Sequence, residues 1–224
     1  MTPARLGRRP QLSDEVAAYV RDLIMSGQVR EGDFLRLEHL ADELGISVTP
    51  VREALLALRG EGFVHLEPRR GFQVAPLSRQ DVEDVFRVQA DVAAELAARA
   101  AAHVTDDDLR RLRDTQDAMA TAARDGDVTA VEEHNHRFHR DVNRLAHAHK
   151  LAWVLGNLVH YAPRRFYGRI EGWPRASVED HHAILAALAA RDPSAARTAM
   201  RTHIEHAGAL LVAHLESQGL FPSS

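Results

Sequence analysis

The chain has 224 residues, of which 45% are hydrophobic, and this is enough for two globular domains with buried cores. It contains no cysteine, which excludes disulfides, cysteine nucleophiles and thiolate metal sites and leaves nitrogen and oxygen as the ligand atoms. No segment has the roughly 18 to 20 consecutive apolar residues that a membrane-spanning helix needs, and residues 1–11 lack the apolar stretch of a signal peptide. We therefore expect a cytoplasmic protein without a membrane partner.

Residues 37–60 have the pattern of two short helices joined by a glycine turn. Leucines and an alanine spaced along 37–44 form one apolar helical face, and Gly45 then allows the positive φ of a sharp turn. Thr49 is predicted to cap a second helix, with Pro50 in its first turn and an apolar stripe of Val51, Ala54, Leu55 and Leu58. This second helix is the candidate recognition helix of a DNA-binding domain.

A short hairpin is predicted after the second helix. Two β-prone runs, 63–66 and 72–74, flank a loop that contains Arg69 and Arg70. Guanidinium groups suit phosphate oxygens and narrow minor grooves, and a helix N-terminus with Ser47 and Thr49 suits a backbone phosphate. Arg52 lies one turn into the helix, where it is best placed to reach a guanine edge. The order helix, turn, helix and hairpin predicts a winged helix-turn-helix domain over residues 1–76.

The charge of this region is nearly balanced. Residues 1–75 contain 10 Arg against 11 acidic residues, and the whole chain has a net charge of −4. DNA affinity depends on where the positive groups lie, so arginines gathered on one side can still neutralise several phosphates. We expect strong salt dependence and modest non-specific binding, with positive charge from Arg5, Arg8, Arg9, Arg36, Arg52, Arg69 and Arg70.

From Pro76 onward the periodicity is helical throughout. Ser78 is predicted to begin a helix that ends near Ala102, and the aspartates at 106–108 begin another that ends near Arg124. The remaining breaks at glycines and prolines predict an all-α six-helix bundle over 77–224, so the fold class is mainly α. Its later helices are expected at about 127–145, 149–168, 177–191 and 193–217.

The histidines of the bundle are concentrated on apolar stripes. Of the 14 histidines, 12 follow residue 100, and Asn135 and His139 share the face of Phe138 and Val142. His181 and His203 fall on the apolar stripes of the last two helices. Each histidine alone is more typical of a hydrogen-bonded core residue than of a metal ligand. Together, three imidazoles and an amide oxygen predict a site for Zn²⁺, Ni²⁺ or Mn²⁺ with positions open to a ligand.

The string GISVTPVREALLALRGEGFVHLEPRRGFQVAPLS resembles the DNA-binding domain of the GntR family of bacterial transcription regulators, and the resemblance covers residues 12–76. It implies DNA contacts by Thr49 and Arg52 and by Arg69 or Arg70. The family usually has an arginine where this chain has Val48, so one customary contact is missing. The predicted DNA-contacting set is Arg36, Ser47, Thr49, Pro50, Arg52, Arg69 and Arg70.

Residues 78–217 resemble the FCD effector-binding domain that accompanies the GntR DNA-binding domain. The resemblance is to the six-helix form of the FCD domain found in vanillate-regulator-like members. The resemblance implies a metal site at Asn135 and His139 in NHRFH, His181 in EDHHAIL and His203 in AMRTHIEH. Many relatives have Asp where this chain has Asn135, and a neutral amide binds a cation more weakly but leaves more positive charge for an anionic effector. The resemblance also places Arg87 near the effector cavity, although a surface arginine paired with Asp84 or Asp91 is an equal interpretation.

The predicted function is a ligand-responsive DNA-binding transcription regulator, a repressor, that acts as a homodimer on a palindromic DNA operator. A small carboxylate effector would bridge the metal and Arg87. One alternative is a regulator that binds no metal and senses a larger ligand such as an acyl thioester. A metallohydrolase is the other, but the motifs supply no Glu or Asp as a general base, and no enzymatic activity is expected.

Overall fold

The computed structural model describes residues 12–159 and 167–221. Its contacts divide the chain into two units, one with the residues up to Leu77 together with those from Gln218 onward, and one with Ser78–Ser217. The described residues from Gln218 onward are therefore grouped with the first unit, whereas the sequence analysis assigned residues 77–224 to the bundle domain. The predicted phosphate-neutralising arginines at 5, 8 and 9 lie outside the described residues.

The described part of the first unit contains three helices and a small sheet. The antiparallel sheet has the order β1 (Phe34–Leu35), β3 (Gly71–Val74) and β2 (Val64–Glu67). Phe72 of the central strand lies opposite Leu35 on one side and Leu66 on the other. The sequence predicted the hairpin of β2 and β3 but not β1, which is only two residues long. In chain order the elements are α1 (Leu12–Met25), β1 (Phe34–Leu35), α2 (Leu37–Leu44), α3 (Val48–Gly60), β2 (Val64–Glu67) and β3 (Gly71–Val74).

The helix-turn-helix is built as its apolar pattern predicted. Gly45 adopts φ +66°, and its amide donates to carbonyl oxygens of the last turn of α2. The predicted stripe of α3 is completely buried, and α3 packs against α1 and α2. The predicted cap at Thr49 is wrong by two residues, because the helix begins at Val48 and Ser47 occupies the N-cap position. Thr49 instead lies in the first turn, exposed to solvent.

Within the described residues, the second unit is a bundle of six helices. Ser78 and Thr105 begin α4 and α5 with capping boxes, in which their hydroxyls accept the amide hydrogens of Asp81 and Asp108. The helix predicted from 177 begins earlier, at Trp173, because Pro174 fits its first turn. The helix predicted over 149–168 ends at Leu158 within the described residues. The six are α4 (Arg79–His103), α5 (Asp106–Asp125), α6 (Val128–Leu145), α7 (His149–Leu158), α8 (Trp173–Ala189) and α9 (Pro193–Ser217), with a 3-10 turn at Tyr167–Arg169.

The core of the bundle is formed mainly where α4 packs along α9 and where α8 packs against α5 and α9. Close approach of α4 and α9 requires Gly208, since a Cβ atom there would lie 2.7 Å from Cγ of Phe86. Among the described residues, no helix is long and apolar enough to cross a membrane. The side chains at the centre are close to fully buried, and they include Leu96, Leu112, Phe138, Ile184 and Met200.

Candidate functional site

Three histidines from three helices meet inside the bundle. His139 of α6, His181 of α8 and His203 of α9 point their Nε2 atoms at one another. The Nε2 atom of His139 lies 3.0 Å from that of His203 and 3.3 Å from that of His181. His181 and His203 are buried, while His139 is partly exposed. The sequence placed these residues on separate apolar stripes, and the structure brings all three together.

Gln116 of α5 fixes the tautomer of His181. Its side-chain Nε2 donates to the carbonyl oxygen of Val178 at 2.8 Å, so its Oε1 must be the atom that lies 3.0 Å from Nδ1 of His181. Because Oε1 only accepts hydrogen bonds, Nδ1 of His181 donates its proton to it. The Nε2 atom of His181 is therefore left with a free lone pair that faces the cluster.

Asp180 of α8 lies against Nδ1 of His203, as Gln116 does against Nδ1 of His181. Its Oδ2 lies 3.4 Å from Nδ1 of His203 and 3.3 Å from Nδ1 of His206, and its side chain is 18% exposed. Burial alone would raise the pKa of Asp180, but the hydrogen bonds from the two histidines outweigh it and leave that pKa below its ordinary value. An ionised carboxylate favours a proton on Nδ1 of His203, and in the neutral imidazole this tautomer leaves the Nε2 lone pair facing the cluster.

This donor set fits a divalent cation. Metal–nitrogen bonds of about 2.0–2.1 Å at octahedral or tetrahedral angles place neighbouring nitrogens about 2.9–3.4 Å apart, which includes both observed separations. Burial, followed by the nearby His203, holds the pKa values of His139 and His181 well below the ordinary range. Both imidazoles are therefore neutral at pH 7, as metal coordination requires.

A cavity of about 390 Å³ opens beside the cluster and is lined by the imidazoles of His139 and His203. One face of α6 provides most of its polar wall, from Glu132 to Arg144, and α4, α7, Tyr167 and Trp173 provide largely apolar walls. Oε1 of Glu132 accepts a hydrogen bond from the amide of Gly168 at 2.8 Å. The cavity therefore suits a small molecule with polar groups on one side and an apolar body.

Two other predicted residues lie differently with respect to this cavity. Asn135 lines it, one turn before His139, and its Oδ1 accepts a hydrogen bond from Ser177 at 3.2 Å. Arg87 lies outside it, on the solvent side of α4, with a side chain that is 63% exposed and paired with Asp84 at 2.9 Å. The arginines that line the cavity are instead Arg140 and Arg144 of α6.

The predicted DNA-contacting residues lie on the surface of the first unit. Arg36, Ser47, Thr49 and Arg52 are exposed, and Pro50 is half-buried. Ser47 occupies the N-cap position of α3 without a capping hydrogen bond from its side chain. The amides and hydroxyl at this end of α3 can therefore receive a phosphate.

The two wing arginines differ in their surroundings. Arg69 is at the tip of the hairpin with φ +65°, in a turn closed by a 3.1 Å bond from the amide of Arg70 to the carbonyl of Glu67. The guanidinium carbon of Arg70 lies 4.4 Å from the ring centre of Phe34, so Arg70 ties the hairpin to β1. Arg69 is therefore the wing residue whose exposed side chain projects from the turn itself.

Family models match both units of the chain. The model for the FCD domain matches residues 84–206, and the model for bacterial regulatory proteins of the gntR family matches residues 12–74. The chain belongs to the FCD branch of the GntR family. As a GntR protein it is a DNA-binding transcription regulator, and its mainly α fold with an N-terminal winged helix-turn-helix is the one predicted.

Curated relatives and solved structures agree with this family. The HTH-type regulator McbR of Escherichia coli K12 is 29% identical over 179 residues, which cover 76% of this chain and 79% of McbR. The Exu regulon transcriptional regulator of E. coli K12 is 26% identical over 226 residues, covering 90% of this chain and 84% of that protein. The structure of E. coli McbR/YncC shares the fold with a TM-score of 0.70 at 24% identity, over 92% of this chain and 99% of that one.

Sequence reasoning missed several residues of this GntR protein's cavity region. Gln116 and Asp180 lie behind the imidazoles, and their helical positions give no periodic signal that points to a histidine on another helix. Arg140 and Arg144 had a usable signal, because they follow Glu132 and His136 at steps of four residues and so form a helical stripe beside that of Asn135 and His139. Their place in the cavity wall could have been predicted from that spacing.

Proposed function

We propose that this GntR regulator is a ligand-responsive repressor whose bundle binds a divalent metal ion and a small carboxylate. The observation that supports the proposal most strongly is the convergence of three Nε2 atoms, two of them with lone pairs fixed by Gln116 and Asp180. His139, His181 and His203 would hold the ion, with Asn135 as a fourth ligand. When bound, a divalent ion would supply open coordination positions that accept carboxylate oxygens.

The effector is proposed to be small and anionic. The cavity volume of about 390 Å³ is near the lower end of the range of about 300–1,000 Å³ for small-molecule sites, which disfavours a bulky acyl thioester. Arg140 and Arg144 lie 3.9 Å and 3.8 Å from Asp141, at the outer limit for an ion pair. Their guanidinium groups can therefore turn toward an anion in the cavity. They replace Arg87 as the proposed second anchor.

In the first unit, we propose that α3 enters the major groove and the hairpin follows the backbone. Arg52 would contact a guanine edge, and Ser47, Thr49 and the amides beside Pro50 would hold a phosphate. Arg36 and Arg69 would add phosphate contacts, and Arg70 would position the hairpin. A homodimer would set two such helices about one DNA turn apart on a palindrome.

Effector and DNA would be linked through the dimer. An effector changes DNA affinity only if it binds one dimer geometry better than another. The cavity includes side chains of both α4 and α9, the first and last helices of the bundle, and Phe86 of that wall packs on Gly208. A ligand that fills the cavity would therefore act on α4 and α9, the first and last helices of the bundle.

The proposal is tested by metal analysis of protein purified without chelators or nickel resin, using mass spectrometry. We expect about one divalent ion per wild-type chain and almost none in H139A, H181A or H203A. His182 is exposed next to His181, so H182A is the matched control and should retain the metal. A wild-type protein that takes up no divalent ion, even when zinc, nickel or manganese is added, would contradict the metal site.

A further inference from the structure

The proposed metal ligands carry no negative charge. The clustered ligand atoms are imidazole nitrogens, which coordinate a metal in their neutral form, and Asn135 contributes only an amide. Glu132 also lines the cavity, but its oxygens are not among the clustered ligand atoms, and its Oε1 accepts the amide hydrogen of Gly168 at 2.8 Å. A divalent ion held by neutral ligands keeps its full charge and is bound less tightly than one held by a carboxylate. A carboxylate that balances this charge without becoming a ligand can lie behind one of the imidazoles, against its outer nitrogen.

Asp180 is the carboxylate in that position. It is on α8, directly before His181, but its Oδ2 contacts Nδ1 of His203 on α9 at 3.4 Å. The side chain of His203 is only 4% exposed and that of Asp180 is 18% exposed, so solvent weakens their attraction little. A carboxylate on Nδ1 raises the donor strength of the opposite nitrogen, Nε2, which faces the cluster.

The partner behind His181 makes the arrangement asymmetric. Gln116 gives His181 the same kind of hydrogen bond at 3.0 Å but adds no charge. Both partners fix a tautomer, and only Asp180 also adds negative charge. The effect of that charge can therefore be separated from the effect of the hydrogen bond.

We propose that Asp180 supplies, through His203, the negative charge that holds the metal ion, and that this placement leaves the cavity side of the site free for an anionic effector. The inference rests on the proposed metal site. Charge behind a ligand strengthens metal binding without occupying a coordination position or standing beside the effector. A carboxylate at position 135 would strengthen metal binding as well, but it would repel a carboxylate ligand in the cavity.

The first test compares zinc affinities by competition with a chelating dye. D180N keeps an oxygen that can accept from His203 but removes the charge, and we expect it to bind zinc about 10- to 100-fold more weakly. Glu179 is exposed on the same helix and paired with Arg175, so E179Q is the control for charge and should change the affinity less than about 2-fold. Equal zinc affinity in D180N and the wild type would overturn the proposal.

The second test measures acetate binding to the cobalt-loaded proteins from their visible spectra. N135D keeps Asp180, so it tests the effect of a carboxylate on the cavity side of the site even if D180N folds poorly. It should bind zinc more tightly than the wild type and acetate at least about 5-fold more weakly. The double variant N135D/D180N should recover zinc affinity close to that of the wild type and still bind acetate weakly. Acetate binding by the double variant that equals the wild type would contradict the proposed placement of charge.

Failure of the inference differs from failure of the metal site. If the wild type binds no zinc, the proposed function itself fails and this inference fails with it. If the wild type binds zinc and D180N binds it equally well, the site stands and the role of Asp180 is wrong. Imidazole nitrogen NMR separates the causes in D180N, because retention of the proton on Nδ1 of His203 with weaker zinc binding assigns the loss to charge.

Discussion

The functional side chains of the two units differ in how much of their hydrogen bonding is used within the protein. In the first unit, Ser47 and Arg36 occupy helix N-cap positions without side-chain capping bonds, and Arg52 is exposed. In the bundle, His181 and His203 are buried and both of their ring nitrogens have neighbours within 3.4 Å.

This difference indicates how each unit tolerates change. A DNA surface made of exposed, separate groups should lose affinity in independent steps, since each group contacts its own phosphate or base. A buried cluster with shared partners should fail as a whole when one member is removed. Variants in one unit should also leave the chemistry of the other unaffected.

The largest expected effect is the loss of metal in H139A. His139 contacts both other imidazoles, so its removal should weaken zinc binding by more than about 100-fold, a greater loss than removal of an outer partner causes. Affinity for operator DNA, selected by the wild-type protein from a random pool, should change less than about 3-fold in the absence of effector. A large loss of DNA binding in H139A, with the fold intact by circular dichroism, would contradict the expectation that variants in one unit leave the other unaffected.

The next largest effect is expected for R52A. Loss of a base contact should cost about 1–3 kcal/mol, or roughly 5- to 150-fold in operator affinity, with reduced discrimination at one base pair. Arg59 has the same charge and exposure in the last turn of α3, and R59A is the control, with an expected change of less than about 3-fold. Fluorescence anisotropy with selected and scrambled DNA measures both. Equal losses in the two variants would show that Arg52 acts only through charge.

Smaller effects are expected for T105A and S47A, which alter the N-termini of α5 and α3. T105A removes a capping hydroxyl and should cost about 1 kcal/mol of bundle stability, with a melting temperature lower by about 3 °C and normal DNA binding. S47A removes a hydroxyl that makes no capping bond, so it should leave the melting temperature unchanged and weaken DNA binding by about 1 kcal/mol, or roughly 5-fold.

The T105A effect should depend on pH. The hydrogen bond from Thr105 is the largest cause that lowers the pKa of Asp108 below its ordinary value of 3.8. A lowered carboxyl pKa stabilises the folded state above about pH 3.8 and loses that effect as the pH falls through the folded value. The difference between wild type and T105A should therefore shrink below about pH 3.8. A difference that does not change with pH would rule out this contribution of Asp108.

The smallest effects are expected in the hairpin. R69A should reduce the slope of log affinity against log salt by about 1 and leave stability unchanged, because its guanidinium would neutralise one phosphate. R70A should also lower the stability of the first unit by about 0.5–1 kcal/mol, since it removes the contact with Phe34. Salt titrations and denaturant melts distinguish the two variants, and identical behaviour would contradict their different surroundings.

The parts of the fold that follow local rules could be predicted from the sequence. Gly45, the buried stripe of α3 and the caps at Ser78 and Thr105 are signalled by residues within one or two turns. Errors arose where two local signals compete. Ser47 and Thr49 are both good capping residues, and the backbone places the cap at the first, so the predicted cap was wrong by two positions.

For the candidate site, the sequence predicted the helical face on which a residue lies, but not which residues of different helices meet. His139, His181 and His203 share apolar faces with core residues, so their burial or partial burial was readable from spacing. Arg87 lies outside the cavity wall because Phe86, Gln89 and Ala93 form the cavity face of α4, and Arg87 is one step further around the helix. Asp180 and Gln116 depend on how three helices pack together, which no local pattern contains.

The most direct test of the metal site is X-ray absorption at the zinc edge of the zinc-loaded wild-type protein. We predict a first coordination shell with three imidazole nitrogens at about 2.0–2.1 Å and remaining oxygen neighbours, and one fewer imidazole in H203A if any zinc remains bound. A shell made only of oxygen atoms, or an unchanged spectrum in H203A, would contradict coordination by the histidines at 139, 181 and 203.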